Sequence, residues 1–181
     1  MEMTKKQIET LKRNNRESNQ VTREAIRDAL YILMRKKDYN EIRITDIINK
    51  SGVSRSAFYR NYKTKEDIIQ ELVSEFVEML AAQSNASLAA NWGAGFDYFL
   101  ENREKLELII KAHLEHLLLN EVNQNLDYSK GEDFTQAMNN GLVFNVFIYW
   151  AKCGMRENSV EATRHIVNSY REIYEYLGTF Y

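Results

Sequence analysis

Residues Gly52 to Lys65 read GVSRSAFYRNYKTK, with two arginines, two lysines and three aromatic residues behind a single glycine. Gly52 permits the positive φ that a tight turn between helices needs. Ser54 is the residue type that caps a helix start, because its hydroxyl accepts from the free N–H groups of the first turn. The spacing therefore predicts a helix over Arg55 to Tyr62, with Phe58 turned inward beside Val53 and Ile47. Just upstream, Thr45 is expected as the N-cap of a short helix, Asp46 to Lys50, that buries Ile47 and Ile48. Two short helices joined by a glycine turn form a helix-turn-helix.

In that motif the second helix enters the major groove of DNA and its flanks hold phosphates. Arg55, long and planar, suits a bidentate contact to guanine O6 and N7, while Ser56 and Ala57 are small enough to let the helix approach a base edge or thymine methyl. Tyr59, Arg60, Asn61, Tyr62, Lys63 and Lys65 are candidate DNA contacts where the helix leaves the groove, and Thr45 and Ser54 are candidates at the two helix starts.

Outward from the motif, every signal is helical. From Thr22, the residues Ile26, Ala29, Leu30, Leu33 and Met34 form one apolar stripe, which ends in Arg35-Lys36-Lys37. Asp38 is expected in the left-handed conformation that follows a helix. Thr64-x-x-Asp67 resembles a capping box for a fourth helix running to about Gln83, and the Ser/Asn/Ala-rich segment 81–91 is the expected loop. Further helices are predicted near 94–102, 104–111, 114–126, 133–152 and 159–177, about nine in all. The absence of proline and the 7 glycines agree with an all-α class.

The net charge of −2 hides an asymmetry. Residues 1–65 carry 16 Lys+Arg against 8 Asp+Glu, and residues 66–181 carry 8 against 18. A basic first third joined to an acidic remainder is the pattern of a polyanion-binding module on a body that avoids polyanions. No apolar run reaches the ~20 residues of a membrane span, and no charged n-region followed by an apolar h-region opens the chain. With one cysteine, Cys153, no internal disulfide forms, and a cytoplasmic protein is expected. There is no Gly-rich phosphate loop, no G-x-S-x-G and no convincing acid/base pair, so no enzyme and no cofactor are expected.

From Thr22 to about Phe76, and above all in Ile44-Thr45-Asp46-Ile47 followed by GVSRSAFYRNYKTKEDII, the chain resembles the N-terminal domain of the TetR/AcrR family of bacterial regulators. The family's usual form reads T-x-x-x-I-A-x-x-A-G-V-S-x-x-x-(F/L)-Y-x-(H/Y)-F-x-(S/T)-K-(E/D)-x-L. The resemblance implies an all-helical homodimer on a palindromic operator, with a helix-turn-helix domain at 22–66 and an effector-binding and dimerisation domain at 67–181. Its last two helices would form the dimer interface. It implies a repressor released by a small effector, with a ligand- or partner-dependent activator as the alternative. On this match Thr45 and Ser54 fall at phosphate-contacting or capping places, Arg55, Ser56 and Ala57 on the base-reading face, and Tyr59, Asn61 and Lys65 in the phosphate clamp. Asp38, Asn49-Lys50-Ser51 and Tyr62 depart from the usual pattern. Residues 96–103 and 149–157 are also similar to the C-terminal domain of a Firmicutes-type subgroup.

Residues 1–21 form a basic N-terminal extension with two readings: an arm adding phosphate or minor-groove contacts, or a mobile tail or frayed extension of the first helix. Phe96, Phe99, Met138, Phe144 and Trp150 are the candidate pocket for a small apolar effector, although aromatics at helical spacing describe an ordinary core equally well. His113, Glu115, His116 and Cys153 lack the spacing of a complete ligand set, so no metal is expected, and Cys153 is expected to be a buried structural thiol.

Overall fold

The computed structural model describes residues 5–82, 87–124, 126–129 and 134–178. These hold nine α-helices and no strand: α1 (Lys5–Met34), α2 (Ile44–Ser51), α3 (Arg55–Asn61), α4 (Glu66–Ala82), α5 (Leu88–Glu101), α6 (Arg103–Lys111), α7 (His116–Val122), α8 (Phe134–Lys152) and α9 (Ser159–Gly178). The chain divides into two compact units between Ile69 and Gln70, within α4.

In the first unit α2 and α3 pack on α1. Its core is the stripe read from sequence, Ile26, Leu30 and Met34, closed by Ile42, Ile47, Phe58, Tyr62, Ile68 and Ile69. Residues 5–21 are helical and continuous with 22–34, so the expected boundary after residue 21 falls inside one helix. Asp38 is not left-handed. It has φ −58° and ψ 139°, and its carboxylate accepts from Asn40 N–H to start the 3-10 turn Tyr39–Glu41. A short polar side chain that can cap a turn needs no positive φ there. Thr64 and Asp67 form the expected reciprocal cap: Asp67 N–H donates to Thr64 Oγ1 at 3.2 Å, and Thr64 N–H to the Asp67 carboxylate at 3.0 Å.

The second unit is built round an aromatic cluster. Phe147 of α8 lies 4.6–5.2 Å, centroid to centroid, from Phe76, Trp92, Phe96 and Phe99. α5 runs along α9, α6 meets α5 and α8, and α7 packs on α8. α5 begins at Leu88, capped by Ser87, so part of the segment expected as a loop is helix, and residues 83–86 of that segment lie outside the described residues. Buried Asn140 joins α8 to the end of α7 through donation to Val122 O at 2.6 Å and Asn123 Oδ1 at 3.1 Å. Gly154 (φ 86°) and Met155 (φ 47°) turn the chain after α8, and Asn158 and Glu161 cap α9 reciprocally, as their spacing predicts.

The tightest approach in this unit involves Gly95, where an added Cβ would fall on the ring of Phe147. That ring is confined by four aromatic neighbours, so it cannot step aside without repacking. Gly93, two residues earlier, has ordinary room, with Thr163 Oγ1 at 3.6 Å. Gly95→Ala is therefore expected to cost about 1–3 kcal/mol by overpacking, whereas Gly93→Ala should be neutral or gain up to about 1 kcal/mol of helix propensity. Both tryptophans, Trp92 and Trp150, lie in this unit, so urea denaturation followed by their fluorescence measures the difference.

Candidate nucleic-acid interface

The turn between α2 and α3 depends on Gly52, whose φ of 72° closes α2 through its N–H to Ile48 O at 3.0 Å. Nothing lies within 4 Å of a Cβ added there, so the requirement is backbone conformation and not space. Ser54 caps α3 as expected, its hydroxyl accepting from Ala57 N–H at 3.1 Å, and Ser56 Oγ lies 3.0 Å from Ser54 Oγ. Phe58 is fully buried, with Tyr59 edge-on to it at 5.4 Å.

With Phe58 held inward, α3 turns Arg55, Ser56, Tyr59 and Arg60 to solvent. The Arg55 guanidinium lies over the Tyr59 ring, 5.7 Å from its centroid, which limits its conformations before any partner arrives. Among the described residues no carboxylate holds Arg55 or Arg60. Ala57 is half-buried on the flank of the helix, and Asn61 donates to Ala57 O at 2.8 Å. Lys63 is exposed, and its backbone N–H donates to Asp67 at 2.7 Å.

Two expected contacts, Tyr62 and Lys65, take different roles, and Thr45 is not the expected cap. Tyr62 is 4% exposed, packs on Phe58 and lies under the Arg23 guanidinium, so it belongs to the core. Its hydrophobic ring fills the place of the family's usual phenylalanine. Lys65 reaches back across the unit: Nζ donates to Tyr39 O at 2.6 Å and Ile42 O at 3.1 Å and sits 4.1 Å from the Tyr39 ring centroid. An ammonium so engaged is a clasp between α3–α4 and the turn after α1, not a free phosphate donor. Thr45 lies exposed inside the first turn of α2, and the cap falls two residues earlier, at Arg43, whose N–H donates to the Asp46 carboxylate at 2.9 Å.

Asp46 also accepts from Lys37 Nζ at 2.7 Å, and that bond, then the Arg43 N–H, holds its carboxyl below the usual range. Partial burial opposes ionisation of Asp67, but the N–H groups of Thr64 and Lys63 outweigh it and keep its pKa low as well. Burial, reinforced by the Glu66 carboxylate, pushes the Tyr39 phenol up. Asp38, Asp46 and Asp67 thus serve as caps and clasps, away from the outward face of α3.

In the second unit the five pocket candidates do not converge. Phe96, Phe99 and Trp150 are buried in the aromatic cluster, Phe144 is half-buried, and Met138 is 76% exposed. A narrow apolar cavity lies elsewhere, lined by Leu72, Phe76, Phe99, Leu106, Ile110 and Leu118 among others, with Glu115 at its wall; it measures about 20 Å³, room for roughly one water. Only Phe99 was among the candidates. Glu115 is paired with Lys152 at 2.8 Å, and His116 Nδ1 lies 3.3 Å from His113 O. Among the described residues no group of three His, Cys, Asp or Glu is arranged to hold a metal. Cys153 is exposed, contrary to expectation, because it falls in the turn that ends α8.

Residues 26–72 match the model of bacterial regulatory proteins, tetR family. The helix-turn-helix unit is thus similar to the N-terminal domain of the TetR family over those residues. It is 31% identical over 101 residues to an HTH-type transcriptional regulator of Bacillus subtilis, YxbF, with 53% of this chain and 24% of that protein covered. It is 26% identical over 84 residues to the HTH-type transcriptional regulator AlkX of Mycobacterium tuberculosis, covering 46% of this chain and 40% of that one. The chain thus spans less than half the length of these curated relatives. A TetR transcriptional regulator from Streptococcus agalactiae has the same fold, with a TM-score of 0.54, 18% identity, and 86% of this chain and 96% of that chain covered. The TetR architecture, an N-terminal helix-turn-helix unit followed by a helical unit, is therefore that of this protein.

Sequence reasoning missed two features of the site. The Lys65 clasp joins residues 23 and 26 positions apart, a separation no local pattern reveals. The upstream half of α1 has no apolar stripe to announce it, yet it lies beside α3. Lys65→Met is expected to destabilise the first unit by about 1–3 kcal/mol, since two buried carbonyls lose a charged donor. Lys63→Ala, at an exposed neighbour, should leave stability unchanged, and amide hydrogen exchange at Ile47 and Phe58 distinguishes the two.

Proposed function

We propose that the protein is a DNA-binding transcriptional regulator that acts by binding and not by catalysis, as a homodimer on a palindromic operator. The observation that carries this reading is the outward face of α3. Arg55, Ser56, Tyr59 and Arg60 are displayed over a buried Phe58, with both guanidinium groups unclaimed by carboxylates among the described residues. Arg55 at the start of the helix is placed to read guanine, and Ser56 and Ala57 allow close approach. Arg60, Asn61, Lys63 and Thr45 supply phosphate contacts. No helix of the described residues is long and apolar enough to cross a membrane, in keeping with a regulator that works in the cytoplasm.

The dimer is proposed to form through α8 and α9. Both helices leave large apolar side chains in solvent: Phe134, Met138 and Tyr149 on α8, and Val160, Ile173 and Tyr176 on α9. Phe134, Met138, Gly141, Asn145 and Tyr149 recur at helical spacing, and an open groove of about 460 Å³ between α8 and α9 is lined by Val146, Tyr149, Trp150, His165 and Ile166. An exposed stripe of this kind on α8, beside that groove, is interface chemistry. The Leu177 side chain, also expected in the interface, lies outside the described residues.

The regulator acts as a repressor released by a small apolar effector that enters the cavity beside Glu115. As that cavity holds about one water, the effector must displace lining side chains, and so favours one dimer state over another. The turn beside the cavity, where His113 holds φ 57°, is the strained element that such enlargement would relax.

Selection of bound duplexes from a random pool tests the central reading, with recovery of a palindrome expected and no enrichment overturning it. Arg55→Ala should then lose about 1–3 kcal/mol at one base position and leave the others unchanged. Ile173→Glu should give monomers in sedimentation velocity and abolish operator binding, and an intact dimer would move the interface elsewhere.

A further inference from the structure

We propose that the upstream half of α1 and the end of α3 form a second phosphate-binding groove, which grips the DNA backbone beyond the bases read by α3. This rests on the DNA-binding reading above and adds to it a partner surface in a segment outside the family match, which begins at residue 26. The groove measures about 510 Å³ and is walled by Asn15, Arg16, Asn19 and Thr22 of α1 and by Arg60 and Asn61 of α3.

Its chemistry selects its occupant. Among the described residues the lining has two arginines, amides and hydroxyls, no carboxylate and no apolar side chain. Guanidinium forks with neutral amide and hydroxyl donors are the groups that hold phosphate oxygens. An organic ligand or a protein partner would need apolar anchors, which this lining lacks. At about 30 Å³ per water, the volume corresponds to roughly 17 waters, enough for a length of hydrated backbone and far more than one bare ion fills. From Thr10 to Arg23 the chain carries Lys12, Arg13, Arg16 and Arg23 against one acid, Glu17. That acid is set against Arg13, 3.8 Å away, both strongly exposed and one residue off the groove face.

Position argues the same way. Arg60 belongs both to the groove and to the outward face of α3, so the two surfaces are continuous. α3 has seven residues and is about 10 Å long at 1.5 Å per residue. Such a helix touches only a few base pairs, and a wall supplied by α1 lengthens the contact without enlarging the reading element. Because residues 5–21 are already helical, Asn15, Arg16, Asn19 and Thr22 stand at i, i+1, i+4 and i+7 on one face before DNA arrives. Pre-ordering spares the entropy a disordered arm would lose on binding.

Arg16→Ala and Arg16→Gln, both at an exposed helical position, test the proposal against the selected duplex in two forms: one with flanks retained, and one trimmed to the enriched bases. Wild-type protein should bind the flanked form more tightly. Each variant should lose about three- to tenfold on it at low salt, lower the salt slope by about one, and keep the same base preference. On the trimmed duplex, variants and wild type should agree. Unchanged affinity and slope on the flanked duplex would overturn the groove while leaving α3 as the reader, and so would an altered base preference, which would assign Arg16 to base reading. Wild-type protein that enriches no duplex would instead remove the DNA-binding reading beneath it.

Discussion

A helix of seven residues has no stability of its own in water, because nucleation costs more than so few hydrogen bonds return. α3 exists because Phe58 is buried to completion beneath it and because Ser54 satisfies an N–H at its start. Everything else at the candidate interface follows from that anchoring. One inward residue fixes the rotation of the helix, and rotation decides that Arg55, Ser56, Tyr59 and Arg60 point outward. Gly52 is the companion constraint, since a side chain at φ 72° would strain the turn that delivers α3 to its place.

The carboxylates near this helix bear on function by where they are not. Asp46 is tied to Lys37 and to the start of α2, and Asp67 to the start of α4. An acid on the outward face of α3 would neutralise Arg55 or Arg60 and repel phosphates. Placed at helix starts, the same acids find partial positive charge in the backbone N–H groups and steady the scaffold. The Lys65 clasp shows the converse: a cation withdrawn from the surface to satisfy two carbonyls and secure the loop that carries Tyr39.

Legibility in the sequence followed the range of the interactions. Gly52, Ser54, the Thr64–Asp67 box and the Asn158–Glu161 box act over two to four residues, and their residue types announce them. The stripe on the second half of α1 and the inward turn of Phe58 were equally plain, because a 3.6-residue period is a one-dimensional signal. Lys65 and Tyr62 misled because each is chemically fit for phosphate, and only tertiary packing decides that one clasps and the other is core. The pocket candidates failed for a related reason. Large aromatics such as Phe96 and Trp150 fill space when packed against one another, so the cavity is walled mostly by aliphatic residues, such as Leu106, Ile110 and Leu118, that carry no distinguishing chemistry. Met138, on a helix apolar round most of its circumference, gives no periodic clue to which side faces solvent.

The charge asymmetry sets the terms on which the short-range contacts operate. With 16 basic and 8 acidic residues before position 66 and the reverse imbalance after it, the chain would attract the proposed DNA partner through one unit and repel it through the other. Sequence-independent attraction scales with the number of phosphates neutralised, so an acidic body lowers binding to all duplexes alike. It does not lower the difference between a right and a wrong base, which on the proposed reading would be made within hydrogen-bonding distance at Arg55. On that reading the charge balance sets how tightly any duplex is held, and the choice among duplexes is left to the outward face of α3.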